Sequence, residues 1–200
     1  MIASSGGRAS ALLCFCYVFT ILLMITASPP FICIATVLCA LLHEAAHVLC
    51  ARAMGRQVRP LSFSLTGLYP DLGEGGTLSC IMIYAAGPAV NLLIAVLSLL
   101  ILRCGYNDRV FELMCVNAAL ALYNLTPVPF SDGSGIMRCV LTGLLGERVG
   151  GGLCAALELL FSFLFFVFFS FRFFQLGRGF FSFFCSCLFL LSSIQNTSAE

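Results

Sequence analysis

Along most of this chain the apolar residues do not alternate with polar ones; they run on. Six stretches, at 11–28, 31–54, 79–103, 109–125, 152–174 and 179–194, are almost wholly apolar. A bilayer core takes roughly 20 residues of helix to cross, so the runs predict an all-α membrane protein with about six transmembrane helices. The first run follows Arg8 and has the polarity of a signal peptide. It is longer than a signal core, however, and a second run follows almost at once, so a retained first span is expected.

The pattern changes between the second and third spans, in VRPLSFSLTGLYPDLGEGG. There Leu61, Phe63 and Leu65 alternate with Ser62, Ser64 and Thr66, the period of a half-buried strand. Pro70, Gly73, Gly75 and Gly76 then mark turns. A short β-hairpin or re-entrant segment is expected, with an ordinary amphipathic loop as the alternative.

Composition agrees with the membrane reading: 60% of residues are hydrophobic and 10% charged, against about 25% charged in soluble domains. The net charge of +1 implies no polyanionic partner and no nucleic acid. If the N-terminus is cytoplasmic, Arg8, Arg52, Arg56, Arg59, Arg138 and Arg148 fall inside, and Arg103, Arg109, Arg172 and Arg178 outside. This bias predicts cytoplasmic N- and C-termini. The 12 cysteines fall mostly within apolar runs and read as small packing residues.

Against this background, LLHEAAHVLC in the second span is out of place. An ionisable group at mid-span costs about 2.5–3.5 kcal/mol on insertion scales, so such groups usually serve function. Positions i and i+4 share a helix face, so His43 and His47 can point at one metal ion, with Glu44 placed as general base. They are the chain's two histidines, and both lie in this motif. The pattern predicts a zinc hydrolase site, in which the ion acidifies a water and polarises the scissile carbonyl.

Zinc catalysis normally uses three protein ligands. Asp132 stands out in YNLTPVPFSDGSG, because Pro127 and Pro129 should end the fourth helix and Gly133 and Gly135 permit a tight turn. A carboxylate there can be aimed back into the bundle, where irregular backbone survives only inside protein or a wet cavity. Two neutral imidazoles and a carboxylate also leave a zinc ion one positive charge, which a hydroxide cancels, and neutral clusters tolerate low dielectric best. Glu112 and Glu158 stay open as third ligands of a different membrane zincin. In the third span Gly87 and Pro88 are expected to interrupt the helix beside the metal, with Asn91 donating to an oxyanion. The plainer reading is a kink and an interhelical bond. Asn117 and Asn124 are expected to bond between helices near the aspartate turn, and Asn124 joins Gly87 and Asn91 as a candidate substrate-side residue.

Three stretches, HEAAH, AAGPAVNLL and NLTPVPFSDG, in this order and spacing, resemble the site-2 protease family of intramembrane zinc metalloproteases. The closest likeness is to its compact bacterial branch of sporulation-factor-processing type. The resemblance covers about 31–140, a three-helix catalytic core, with an N-terminal helix in 1–30 and C-terminal helices in 141–200. It implies zinc on His43, His47 and Asp132, Glu44 as catalytic base, and cleavage of a membrane protein in or beside a transmembrane segment; the motif's place in the inner half of the second span puts that cleavage toward the cytoplasmic side. It also implies a multi-pass protein of a bacterial cell membrane. The chain departs from the family in having Phe130-Ser131 before the aspartate and Ser134 where many relatives have a second glycine. The family's nucleotide-sensing and inserted peptide-binding domains are not found in these residues, so regulation is expected through a membrane partner or the bilayer. By strand addition, residues 61–66 could pair with an unwound substrate. A proteolytically dead scaffold or chaperone of the same fold is the non-enzyme alternative; the intact Glu44 argues against it.

Overall fold

The structure, a computed structural model, describes residues 29–56, 76–176 and 180–197. It is all-helical over these residues. The helices are α1 (Pro30–Ala53), α2 (Thr77–Cys104), α3 (Asp108–Leu125), α4 (Asp132–Leu145), α5 (Glu147–Leu176) and α6 (Phe180–Thr197).

Local chemistry sets the boundaries. Pro30 opens α1, where its missing N–H costs nothing and its fixed φ suits a first turn. At the other end Gly55 takes φ +69°, Gly55 N donates to Arg52 O and Arg56 N to Ala51 O, the paired bonds of a Schellman stop. Asn107 caps α3 by accepting from the N–H groups of Arg109 and Val110. The same helix ends at Leu125, before Pro127. Ser131 caps α4 by accepting from Ser134 N.

α2 packs against α1, α3 and α4, α3 also touches α1, and α5 joins α4 to α6. The interior is built from small and polar side chains: Ala35 and Cys39 of α1, Cys80 and Ala95 of α2, Asn117 and Ala121 of α3. A disulfide between Cys80 and Cys139 ties α2 to α4, so these two cysteines do more than pack. Large apolar side chains such as Leu41, Leu49, Leu78, Leu100 and Phe171 lie on the outside. Small residues within and large apolar ones without is the arrangement of helices packed in lipid.

Among the described residues, three helices are long and apolar enough to cross a membrane: α1, α2 and the Glu147–Gln175 part of α5. The chain is thus consistent with a membrane protein, and the described residues do not support the expected count of six spans. The expected span at 109–125 corresponds to α3, whose first turns carry Asp108, Arg109 and Glu112 and leave too short an apolar stretch. The span at 179–194 corresponds to α6, an 18-residue helix that carries no Asp, Glu, Lys or Arg. The expected span at 11–28 and the expected hairpin, including residues 61–66, lie outside the described residues. No strand occurs among the described residues. The boundary expected after residue 140 falls inside α4, a helix that the run of prolines and glycines had concealed.

Candidate metal centre

On α1, one turn separates His43 from His47, and both rings are buried against α2. Their Nε2 atoms lie 3.2 Å apart. Asp132, the first residue of α4, brings Oδ2 to 3.0 Å from His43 Nε2 and Oδ1 to 3.3 Å from His47 Nε2. The structure therefore gathers all three expected ligands from two helices. The local backbone around the third differs from the expectation. Asp132 sits in a helical first turn, and the bend precedes it at Phe130, with φ 68°, the one non-glycine residue with positive φ among the described residues.

The glycines around the centre act through close approach. A Cβ on Gly133 would lie 2.6 Å from the carbonyl carbon of Leu125 and nearer still to its oxygen. On Gly135 it would lie 2.6 Å from Cε1 of Tyr84. At Gly87 it would come within 2.6 Å of His43 Nε2 and closer to His47 Nε2. Gly87 and Pro88 do not interrupt α2, which runs unbroken through both. Gly87 instead supplies the floor on which the two imidazoles rest.

Hydrogen bonds on the far side of each ring fix its tautomer. His47 Nδ1 faces the Ile83 carbonyl at 2.7 Å and must donate to it. His43 Nδ1 lies 2.5 Å from Asn91 Oδ1. The Asn91 amide is oriented in turn by Asn117. Asn117 Nδ2 donates to the Leu113 carbonyl at 2.9 Å, so Asn117 Oδ1 faces Asn91 and accepts from its Nδ2 at 2.9 Å. A backbone carbonyl, which only accepts, thus anchors a relay that leaves Asn91 Oδ1 toward His43. With both Nδ1 atoms donating, the two Nε2 atoms face the carboxylate, and a ring in its neutral form offers it an Nε2 lone pair.

The result is a convergence of acceptors. Asp132 Oδ2 is buried, and no hydrogen bond reaches it among the described residues. Its 3.0 Å approach to His43 Nε2 is a contact between two electron-rich atoms unless a cation or a proton lies between them. The donors fit a metal ion. Metal–ligand bonds of about 2.0–2.2 Å place tetrahedral ligands roughly 3.3 Å apart, close to the spacings seen here. Two imidazoles backed by an amide and a carbonyl, with a carboxylate, make a typical divalent set with its outer shell in place.

Glu44 is exposed on the adjoining face of α1. Asn91 Oδ1 faces His43 and Nδ2 gives one of its two N–H groups to Asn117, so in this geometry Asn91 orients a ring. Asn124 donates to Leu120 O within its own helix, and among the described residues no hydrogen bond links it to His43, His47 or Asp132. Glu112 pairs with Arg109, and Glu158 lies against Ser134; neither joins the cluster. Asn117 does bond across helices, as the sequence suggests, but to Asn91 and to Cys39 Sγ. The Ile83 carbonyl carries no sequence signal at all.

The relay gives a first prediction. Asn91→Leu removes the acceptor that fixes the His43 tautomer, and metal affinity should fall by about 10–100-fold, the usual cost of losing an outer-shell partner. Competition with a chromophoric chelator measures this; unchanged affinity would show the relay to be incidental.

Comparisons with protein-family models, with curated proteins and with solved structures found no match. The functional reading therefore stands on the residues and their geometry.

Proposed function

We propose that this chain is an intramembrane zinc metalloendopeptidase of the site-2 protease type. It hydrolyses a peptide bond in or next to a transmembrane segment of another membrane protein. One observation carries the proposal: two tautomer-fixed imidazoles and a carboxylate converge inside a bundle whose flanking helices can cross a bilayer. Zinc is the metal proposed, because two histidines and one carboxylate leave the open position that zinc hydrolases use. The ion, when bound, supplies Lewis acidity and an acidified water.

The residues of the chain do the rest. His43, His47 and Asp132 hold the ion, and Asn91 and Ile83 O keep both imidazole lone pairs turned inward. Glu44, exposed beside the pair, accepts the proton of the attacking water and delivers it to the leaving amine. Its exposed flank is where a substrate strand would approach. Cleavage lies toward the cytoplasmic side, with both termini cytoplasmic, in a bacterial cell membrane; a regulatory partner would act within the bilayer.

Reconstitution tests the proposal. Purified protein and single-span substrates, placed together in proteoliposomes, should give discrete cleavage products. Metal removal should abolish cleavage and zinc should restore it, whereas Asp132→Asn should stay inactive in zinc. Cleavage that persists in fully metal-free protein would defeat the reading.

A further inference from the structure

One buried ionisable group has no part in the chemistry above. Glu158 lies in the middle of α5, a helix apolar enough to span a membrane, and is 3% exposed. Carboxyl groups inside such helices are costly and rarely serve packing alone. Its Oε1 accepts from the Ser134 hydroxyl and from Cys154 Sγ. Ser134 stands two residues after Asp132, in the same first turn of α4.

We propose that Glu158 is a positioning residue for Asp132, acting through Ser134 to hold the first turn of α4 in register with the histidine pair; this rests on the metal reading of the centre. That turn is gripped on three sides. Gly135 lies against the Tyr84 ring of α2, and Gly133 against the Leu125 carbonyl at the end of α3. Both of these are steric contacts, which block approach but exert no pull. The Glu158–Ser134 bond is the directional hold from α5. Ser131 Oγ accepts from Ser134 N, so the residue that Glu158 grips also belongs to the cap that starts the helix at Asp132. The glutamate is itself braced from α6, where Ser193 Oγ donates to the Glu158 carbonyl at 3.4 Å and pairs with Ser162 at 2.8 Å. The C-terminal helices thereby reach the metal centre without contributing a ligand.

The test uses the full chain in detergent, loaded with Co²⁺, as wild type, Glu158→Leu, Ser134→Ala and Glu158→Gln. The readouts are cobalt affinity by chelator competition and the visible ligand-field band, with helical circular dichroism as the folding control. Glu158→Leu and Ser134→Ala should each weaken cobalt binding by about tenfold and alter the band. Glu158→Gln keeps an acceptor oxygen for Ser134 and should restore both toward wild type. A folded Glu158→Leu with wild-type affinity and band overturns the inference, as does a Glu158→Gln as impaired as the leucine variant. Should the leucine variant not fold, Ser134→Ala decides: weakened binding supports the role, unchanged binding overturns it. A wild-type protein that binds no cobalt overturns the metal reading and this inference together, and that result is distinguishable because it precedes any comparison of variants.

Discussion

Glu44→Gln is expected to lower peptide-bond hydrolysis by on the order of 10²–10⁴-fold, the range that a positioned general base supplies, while metal content stays at the wild-type level. The two halves of this outcome have separate causes. Glutamine keeps the size of the side chain but cannot take up a proton, so the attacking water is no longer deprotonated. The ligands are untouched, because His43 is held by Asn91, His47 by the Ile83 carbonyl, and Asp132 by the start of α4. The measurement pairs product formation from a single-span substrate with zinc content by mass spectrometry. Undiminished cleavage would remove Glu44 from the chemistry, and lost zinc would make it part of the metal's support.

Gly87→Ala should have an effect of comparable size by a different route. A methyl group at this position meets three ring atoms of the two histidines, two of them at 2.6 and 2.7 Å on His43 and one closer still on His47. No Cβ tolerates such contacts, and the atoms struck are mainly the Nε2 donors. The rings cannot simply back away, since each is tethered through Nδ1. Metal affinity should fall by on the order of a hundredfold, the upper end of what losing an outer-shell partner costs, and cleavage should fall with it. Folding should survive, because alanine is the best helix former and replaces a residue that costs a helix about 1 kcal/mol. Isothermal titration with zinc, alongside circular dichroism, separates the two effects. A folded alanine variant with undiminished affinity would mean that the rings are not pressed on α2 in the working protein.

The same residue shows how far the sequence could be read. Gly87 was legible as special, but as a helix interruption. Its real work is a close approach between α2 and α1, which depends on a neighbour 40 positions away in the chain, at His47. Asn91 was legible as a polar residue beside the metal. Its partner could not be, because the direction of an amide is decided by Asn117 and, behind it, by the Leu113 carbonyl. The histidine pair was readable because helix periodicity alone puts i and i+4 on one face. Asp132 was readable as a residue that the prolines could aim inward, while the helix beginning at it was hidden by glycines that serve packing rather than turning. Glu158 looked like a spare ligand; only the fold sets it against Ser134. At 109–125 apolar run length was a poor guide to a span, since charges at the start of α3 shorten what a bilayer would accept.

The central claim is that His43, His47 and Asp132 close on one divalent ion. X-ray absorption at the zinc edge of the zinc-loaded protein tests it most directly. The expected spectrum carries the multiple-scattering signature of two imidazoles, with nitrogen and oxygen neighbours at about 2.0–2.2 Å, and one imidazole should vanish in His47→Ala. A zinc shell without imidazole scattering, or one unaltered by that substitution, would contradict the account.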